Sequence, residues 1–223
     1  MYTEKHANTD KKDAVLTCAA RLEEHYPDAV CSLDYHTDPW RLLVMARLSA
    51  QCTDARVNMV SVPLFEAYPD VYAMAKADME TLEKLVFPCG LYKTKARDLK
   101  KMCMQLVESF DGKVPDTMEE LLQLAGVGRK IANLILGDVF GKGGIVADTH
   151  CIRITNRLGF ADSENQVIVE RELDEIVPKQ LQTDFCHRLV HFGREICSAR
   201  SPKCSACFLA DLCPWDGKTP SES

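Results

Sequence analysis

Four cysteines toward the C-terminal end, Cys197, Cys204, Cys207 and Cys213, stand in a C-x6-C-x2-C-x5-C pattern within CSARSPKCSACFLADLC. Four thiolates packed so closely in sequence constrain that stretch more than any hydrophobic pattern could. The segment can wrap one soft metal centre with hardly any help from the rest of the fold. Only the middle pair has the two-residue gap common to zinc ribbons and iron–sulfur loops. The outer gaps are irregular, and sulfur-only ligation suits either metal, so the spacing leaves zinc and a 4Fe–4S cluster both open.

The remaining seven of the 11 cysteines (Cys18, Cys31, Cys52, Cys89, Cys103, Cys151 and Cys186) are scattered singly. The total is odd, and the polar N-terminal stretch MYTEKHANTDKKDAV carries no secretory signal, so a disulfide framework is not expected. These seven read as small buried hydrophobes. No apolar run approaches the roughly 20 residues needed to cross a bilayer. A soluble, cytoplasmic protein without a membrane partner is expected, nucleoid-associated if bacterial, with a monomer as the default.

At 223 residues, 46% hydrophobic and 27% charged, the chain has ordinary globular composition and room for one large domain or two small ones. Its net charge of −6 argues mildly against a nucleic-acid partner. The charge is uneven, however. KTKARDLKK places Lys93, Lys95, Arg97, Lys100 and Lys101 against Asp98 alone; Arg129 and Lys130 form a second basic point; Arg188, Arg194, Arg200 and Lys203 form a third. Each alone reads as a solvated helix face, but three together predict a cationic face on an acidic body.

Apolar residues recur at three- and four-residue steps along most of the chain, which predicts an all-α fold. The stretch from Asp38 to Pro69 reads as helical with a break near Pro63, and MAKADMETLEKLVF as one helix up to Pro88. TKARDLKKMCMQLVESF is amphipathic and stops at Asp111–Gly112. TMEELLQLA follows a start at Pro115 and Asp116, and another helix runs from Arg129 to about Phe140. Beyond Gly143–Gly144, DTHCIRITNRLGF reads as a helix capped by Asp148, with two more to follow; Ile145–Ala147 is the sole strand candidate. A short N-terminal helix, Ala14 to Tyr26, cannot bury its apolar face alone. The glycine-rich stretch Lys142–Gly144 marks a boundary between a central block and a C-terminal block that holds the four cysteines.

LLQLAGVGRKIANLILG carries the chemistry outside the cysteines. A helix stops, Gly126, Val127 and Gly128 turn the chain, and a second helix begins at once. Glycines spaced by one residue allow positive φ and close backbone approach. Amides of such a turn, with the following helix dipole, make a phosphate site that grips a nucleic-acid strand without reading bases. Arg129 adds charge to it. Lys130, in the first turn and expected to be partly buried, sits where the dipole disfavours a cation. A neutral amine there is a nucleophile able to form a Schiff base with sugar C1′; the plainer role is added phosphate binding. Asp148 caps the next helix and could also steady an oxocarbenium charge or shuttle protons.

Taken together, LSAQCTD around Gln51, GLYKTKA, LAGVGRKIAN, VADTHCIRITNRLG, the HRLVHFGREIC segment and the four-cysteine loop resemble the endonuclease III family of helix–hairpin–helix DNA glycosylases, from about Asp28 to Cys213. The resemblance implies a two-lobed all-α helix–hairpin–helix glycosylase fold with a DNA groove between lobes. One lobe is a six-helix barrel over 32–142, with the hairpin at about 114–140. The other joins 1–31 to 143–223 around a 4Fe–4S cluster. It also implies that Cys197, Cys204, Cys207 and Cys213 ligate that cluster, whose loop presents Arg200 and Lys203 to DNA. Lys130 becomes the nucleophile and Asp148 its assistant in excising a flipped oxidised pyrimidine from duplex DNA, followed by β-elimination at the abasic site. Gln51 and Leu91 match positions that fill the vacated hole and wedge the opposite strand.

Adenine-mismatch glycosylases share the cluster and the aspartate but usually lack this lysine and carry an extra C-terminal domain; only ten residues follow Cys213 here. A non-catalytic DNA-binding module would not need Lys130 and Asp148, and an electron-transfer iron–sulfur protein would not need the hairpin. Three positions depart from the family pattern: Ala125 where proline is common, Ile131 where threonine is common, and Cys52 where a small or hydroxyl residue is frequent. They bear on lesion preference more than on activity.

Overall fold

The computed structural model describes residues 2–218, with side chains from residue 10 onward. Its helices are, in chain order, α1 Tyr2–His25, α2 Pro39–Leu48, α3 Asp54–Ala67, α4 Val71–Ala75, α5 Met79–Val86 and α6 Tyr92–Phe110, then α7 Met118–Leu121, α8 Arg129–Asp138, α9 Thr149–Arg157, α10 Gln166–Ile176 and α11 Gln182–Glu195. Single 3-10 turns occur at Phe87–Cys89, Lys179–Leu181 and Cys204–Ala206. No strand is present among the described residues, so the fold is all-α and Ile145–Ala147 is irregular chain. No helix among them is long and apolar enough to cross a membrane.

Helix starts follow the side chains able to satisfy the first free N–H groups. Asp38 accepts from Trp40 and Arg41, Asp70 from Ala73, and Asn165 from Val167 and Ile168. Two caps fix element starts that apolar periodicity alone does not place. Asp78 accepts from the Thr81 N–H and hydroxyl, both at 2.9 Å, and so divides the segment expected to be one helix into α4 and α5. These bonds hold the Asp78 carboxyl below its usual range. α7 starts after Pro115 and Asp116 as expected, with Thr117 as its cap and Glu119 and Glu120 in its first turn, but it ends at Leu121 rather than Ala125. The Thr117 hydroxyl meets Glu120 Oε2 at 2.7 Å and accepts the Glu120 N–H at 3.3 Å, a reciprocal cap that makes one short turn. Pro63 lies inside α3 and does not break it. Proline removes the bond to the carbonyl four residues back, but Pro63 and Met59 both face solvent, where that carbonyl can be hydrated.

The chain forms two compact units: Cys31–Phe140, and the chain up to Val30 together with the chain from Gly141 onward. In the Cys31–Phe140 unit, α2 is buried nearly all round (Leu42, Leu43, Val44, Met45 and Leu48 are 0% exposed), as a helix without a polar face must be. Around it, α3, α5, α6 and α8 contribute Val57, Leu64, Leu82, Leu99, Met102 and Ile135. Trp40 donates its indole N–H to Cys103 at 3.4 Å, and burial pushes that thiol up to about 12.

In the second unit, Val15, Cys18 and Leu22 of α1 pack with Ile154, Leu173, Phe185, Leu189 and Phe192. This is the partner the N-terminal helix requires, and α1 begins well before the expected Ala14. Arg21 fastens α1 to the C-terminal loop through both oxygens of Asp211 and the Phe208 carbonyl, and His25 stacks on Phe208 at 3.7 Å. Of the seven scattered cysteines, Cys18, Cys89, Cys103, Cys151 and Cys186 are buried, and Cys31 and Cys52 are half-buried.

Candidate functional site

The hairpin between α7 and α8 is seated on a buried ion pair. Arg47 of α2, 9% exposed, donates from Nε and Nη2 to Asp98 Oδ2 of α6 at 3.1 and 2.7 Å. A Cβ added to Gly126 would meet Arg47 Nε at 2.5 Å and Asp98 Cβ at 3.0 Å, and Gly126 has φ +76°. Glycine is therefore required there both by backbone conformation and by close approach. Gly128 differs from expectation: its φ is −105° and the space beside it is open. What it provides is a helix start with no covering side chain, since α8 has neither a side-chain cap nor an acidic residue in its first turn.

Val127 is 7% exposed and donates its N–H to the Leu124 carbonyl, so its side chain belongs to the core and only its backbone faces the turn. Arg129 and Lys130 are exposed at the start of α8; the partial burial expected for Lys130 is not found. Gln105 of α6 accepts the Ala125 N–H at 2.8 Å and donates to the Gln123 carbonyl at 2.9 Å, a clamp the sequence reading did not include.

Gln51 and Leu91 lie in the same unit, each exposed and each in the left-handed region, at φ 54° and 46°. Leu91, 57% exposed, starts α6 without any side-chain cap. Exposed Phe87 packs on the Tyr92 ring at 4.9 Å beside it. Lys95 departs most from the sequence reading. Counted there among surface cations, it is 0% exposed, and its amino group donates to the carbonyls of Leu48 at 2.7 Å and Cys89 at 2.8 Å. Burial pulls its pKa down. The surface charge of this stretch thus falls to Lys93, Arg97 and Lys101, with Lys100 half-buried.

Asp148 belongs to the other unit. It accepts the Cys151 N–H at 2.8 Å as the cap of α9 and is half-buried. Further along the same helix, Arg153 reaches the Cys197 carbonyl at 2.9 Å. Arg157 lies 3.2 Å from Cys197 Sγ and 2.8 Å from the Ser198 carbonyl, with its guanidinium 4.0 Å over the Trp215 ring. Cys213 Sγ donates to the Arg157 carbonyl at 3.4 Å. Gly193 of α11 leaves the room that His150 and Arg153 fill. The helix that carries Asp148 is therefore also the one that holds the cysteine loop.

All four loop cysteines are half-buried and line one hollow, walled by apolar groups such as Ile154, Leu158, Phe192 and Leu209. Yet no three His, Cys, Asp or Glu side chains among the described residues converge closely enough for a single ion. A hollow lined by four thiols suits the sulfur-only donor set of a 4Fe–4S cluster. Burial pushes the Cys207 thiol up, and the other three thiols add to that, so four thiolates here need a cationic core. Arg200 and Lys203 are exposed on this loop. Arg188 is not part of a surface patch: it is 6% exposed and paired with Glu23 at 3.1 Å.

The chain matches the model of the HhH-GPD superfamily base excision DNA repair proteins over residues 44–179, and that of the iron-sulfur binding domain of endonuclease III over residues 197–213. It is 43% identical to endonuclease III of Synechocystis sp. over 92% of its length and 93% of that protein, and 39% identical to that of Bacillus subtilis over 88% and 90%. A solved trapped endonuclease III–DNA covalent intermediate superposes with a TM-score of 0.86 at 40% identity, covering 91% of this chain and 95% of that one. The cofactor of the cysteine loop is a 4Fe–4S cluster. Fold, hairpin, cysteine loop and these likenesses agree: the chain belongs to the endonuclease III family of helix–hairpin–helix base-excision DNA repair proteins.

Proposed function

We propose that the chain removes oxidised pyrimidines from duplex DNA and nicks the resulting abasic site, with Lys130 as the nucleophile. Family membership makes it a base-excision-repair DNA glycosylase and AP lyase that binds DNA; the lesion class and the residue roles are what the proposal adds. The observation that carries it is the placement of Lys130. It is an exposed amine in the first turn of α8, directly after a glycine turn with no capping side chain.

In this reading the backbone at Gly126–Gly128, with the α8 dipole, holds one phosphate, and Arg129 adds charge. Gln51 and Leu91 occupy the space left when the damaged nucleotide turns out of the stack. Lys130 attacks C1′, the bond to the base breaks, and the base leaves with a proton. The nitrogen lone pair then forms C1′=N as the C1′–O4′ bond breaks and O4′ takes a proton; this Schiff base acidifies C2′, and loss of a C2′ proton expels the 3′ oxygen and breaks the strand. Asp148, oriented by its cap bond, steadies the positive charge developing on the sugar and moves the proton. The 4Fe–4S cluster, held by Cys197, Cys204, Cys207 and Cys213, supplies structural cross-linking of the loop that carries Arg200 and Lys203. The protein acts as a monomer in the cytoplasm. A related protein's solved covalent intermediate with DNA supports a covalent route.

Borohydride reduction tests the assignment. The wild-type chain is expected to trap irreversibly on a duplex with one abasic site, and Lys130→Ala is expected not to. Equal trapping by Lys130→Ala would remove the nucleophile's role. A panel of duplexes, each with a single oxidised pyrimidine, should show base release; release from none of them would remove the lesion class.

A further inference from the structure

We propose that Lys95 is a positioning residue of the duplex-opening apparatus, tying together the two loops that present Gln51 and Leu91 and holding them in the shape that enters DNA. The inference rests on the roles proposed above for Gln51 and Leu91. A lysine at 0% exposure is unusual and must be paired. Its two acceptors are not neighbours in sequence. Leu48 is the last residue of α2, three before Gln51; Cys89 ends the 3-10 turn, two before Leu91. Both carbonyls stand at helix ends, where intrahelical donors run out and the dipole favours a cation. Lys95 also donates its backbone N–H to the Leu91 carbonyl at 3.0 Å, so one residue holds the Leu91 loop at two points.

Each loop carries a non-glycine residue in the left-handed region, and an exposed side chain has no packing of its own to keep it there. Such conformations persist only where the surroundings over-determine them. The Lys95 amine is the interaction common to both loops. The Cys52 and Cys89 thiols meet at the same seam, so the loops already touch there. An apolar side chain at position 95 would leave two buried carbonyls unpaired and the loops joined only by contact. Position 95 therefore controls how the chain opens a duplex without touching DNA itself.

The test uses the full chain with its cluster. Lys95→Met keeps most of the methylene packing and removes the donor. Nicking of an abasic site is measured in a duplex and in the same strand alone, where nothing has to be opened. The expected result is a duplex rate lower by on the order of tenfold to a hundredfold, with the single-strand rate unchanged. Adding Gln51→Ala and Leu91→Ala to Lys95→Met should cost less than the same changes cost in the wild type, because they act through one device. An unchanged ratio of duplex to single-strand rates, or an equal fall in both, overturns the proposal. If Gln51→Ala and Leu91→Ala leave the duplex rate intact, the loops' own role fails and this inference with it. If those variants lose activity and Lys95→Met does not, only the role of Lys95 fails. Should Lys95→Met not fold, Lys95→Gln, which retains one donor group, is read by the same ratio and the same outcomes.

Discussion

Gln105 receives the Ala125 N–H and donates to the Gln123 carbonyl, so the approach to the G-V-G turn is clamped on either side of Leu124. In resembling proteins a proline before the turn would stiffen the backbone by fixing φ; here an α6 side chain does so through a bond proline could not make. Gln105→Ala should therefore cost about 1–2 kcal/mol, since it leaves a half-buried donor and an acceptor unpaired, and should weaken binding to an abasic duplex. Ala125→Pro should cost more in the wild type than in the Gln105→Ala background, because the N–H it removes has a partner only in the former. Urea unfolding of the two single variants and the double one measures this, and strict additivity would show the clamp to be idle. The departure at position 125 was legible in the sequence, but its remedy, 20 residues earlier in the chain, was not. Lys95 was misread for a related reason. Its letter signals charge, yet it shares the face of α6 with Ala96, Leu99, Met102, Cys103 and Leu106, all buried. Helical spacing carried the signal that residue type hid.

The caps decide where the elements begin, and α9 shows one cap with two duties. Asp148 satisfies the Cys151 N–H, and Arg153 and Arg157 of the same helix hold the cysteine loop. Asparagine caps a helix about as well as aspartate but carries no charge. Asp148→Asn should therefore leave the melting temperature and the cluster absorbance near wild type while base excision falls steeply. Asp148→Ala should lose activity and also about 1 kcal/mol of stability. Thermal melts beside excision assays separate the two duties; an Asp148→Asn variant with full activity would reduce Asp148 to a cap. This cap was readable because a single acidic residue precedes a clear apolar stripe. The division at Asp78 was not, because the apolar spacing of MAKADMETLEKLVF continues straight across it. Pro63 misled in the opposite direction: its ring needs only an outward-facing turn to be accommodated, and periodicity could have placed it there.

At the scale of the molecule, a net charge of −6 means that attraction to DNA has to come from local clusters rather than from the overall field. The sequence offered three such clusters, and the structure thins two of them by burying Lys95 and Arg188. Exposed Arg200 and Lys203 remain on the cysteine loop, at either side of Pro202 and ahead of Cys204. If each neutralises one phosphate, replacing both with alanine should reduce the slope of log affinity against log salt by about 2, at roughly 0.9 per contact. Affinity should fall by the same factor for damaged and undamaged duplexes, since phosphate contacts carry no sequence or lesion information. The visible absorbance of the 4Fe–4S cluster should persist, because neither side chain is a ligand, and so should borohydride trapping through Lys130 at low salt. Titrations of the double variant against salt, with intact and abasic duplexes in parallel, decide the matter. An unchanged slope would mean that the loop does not meet the phosphates; a loss confined to the abasic duplex would mean that it reads the lesion.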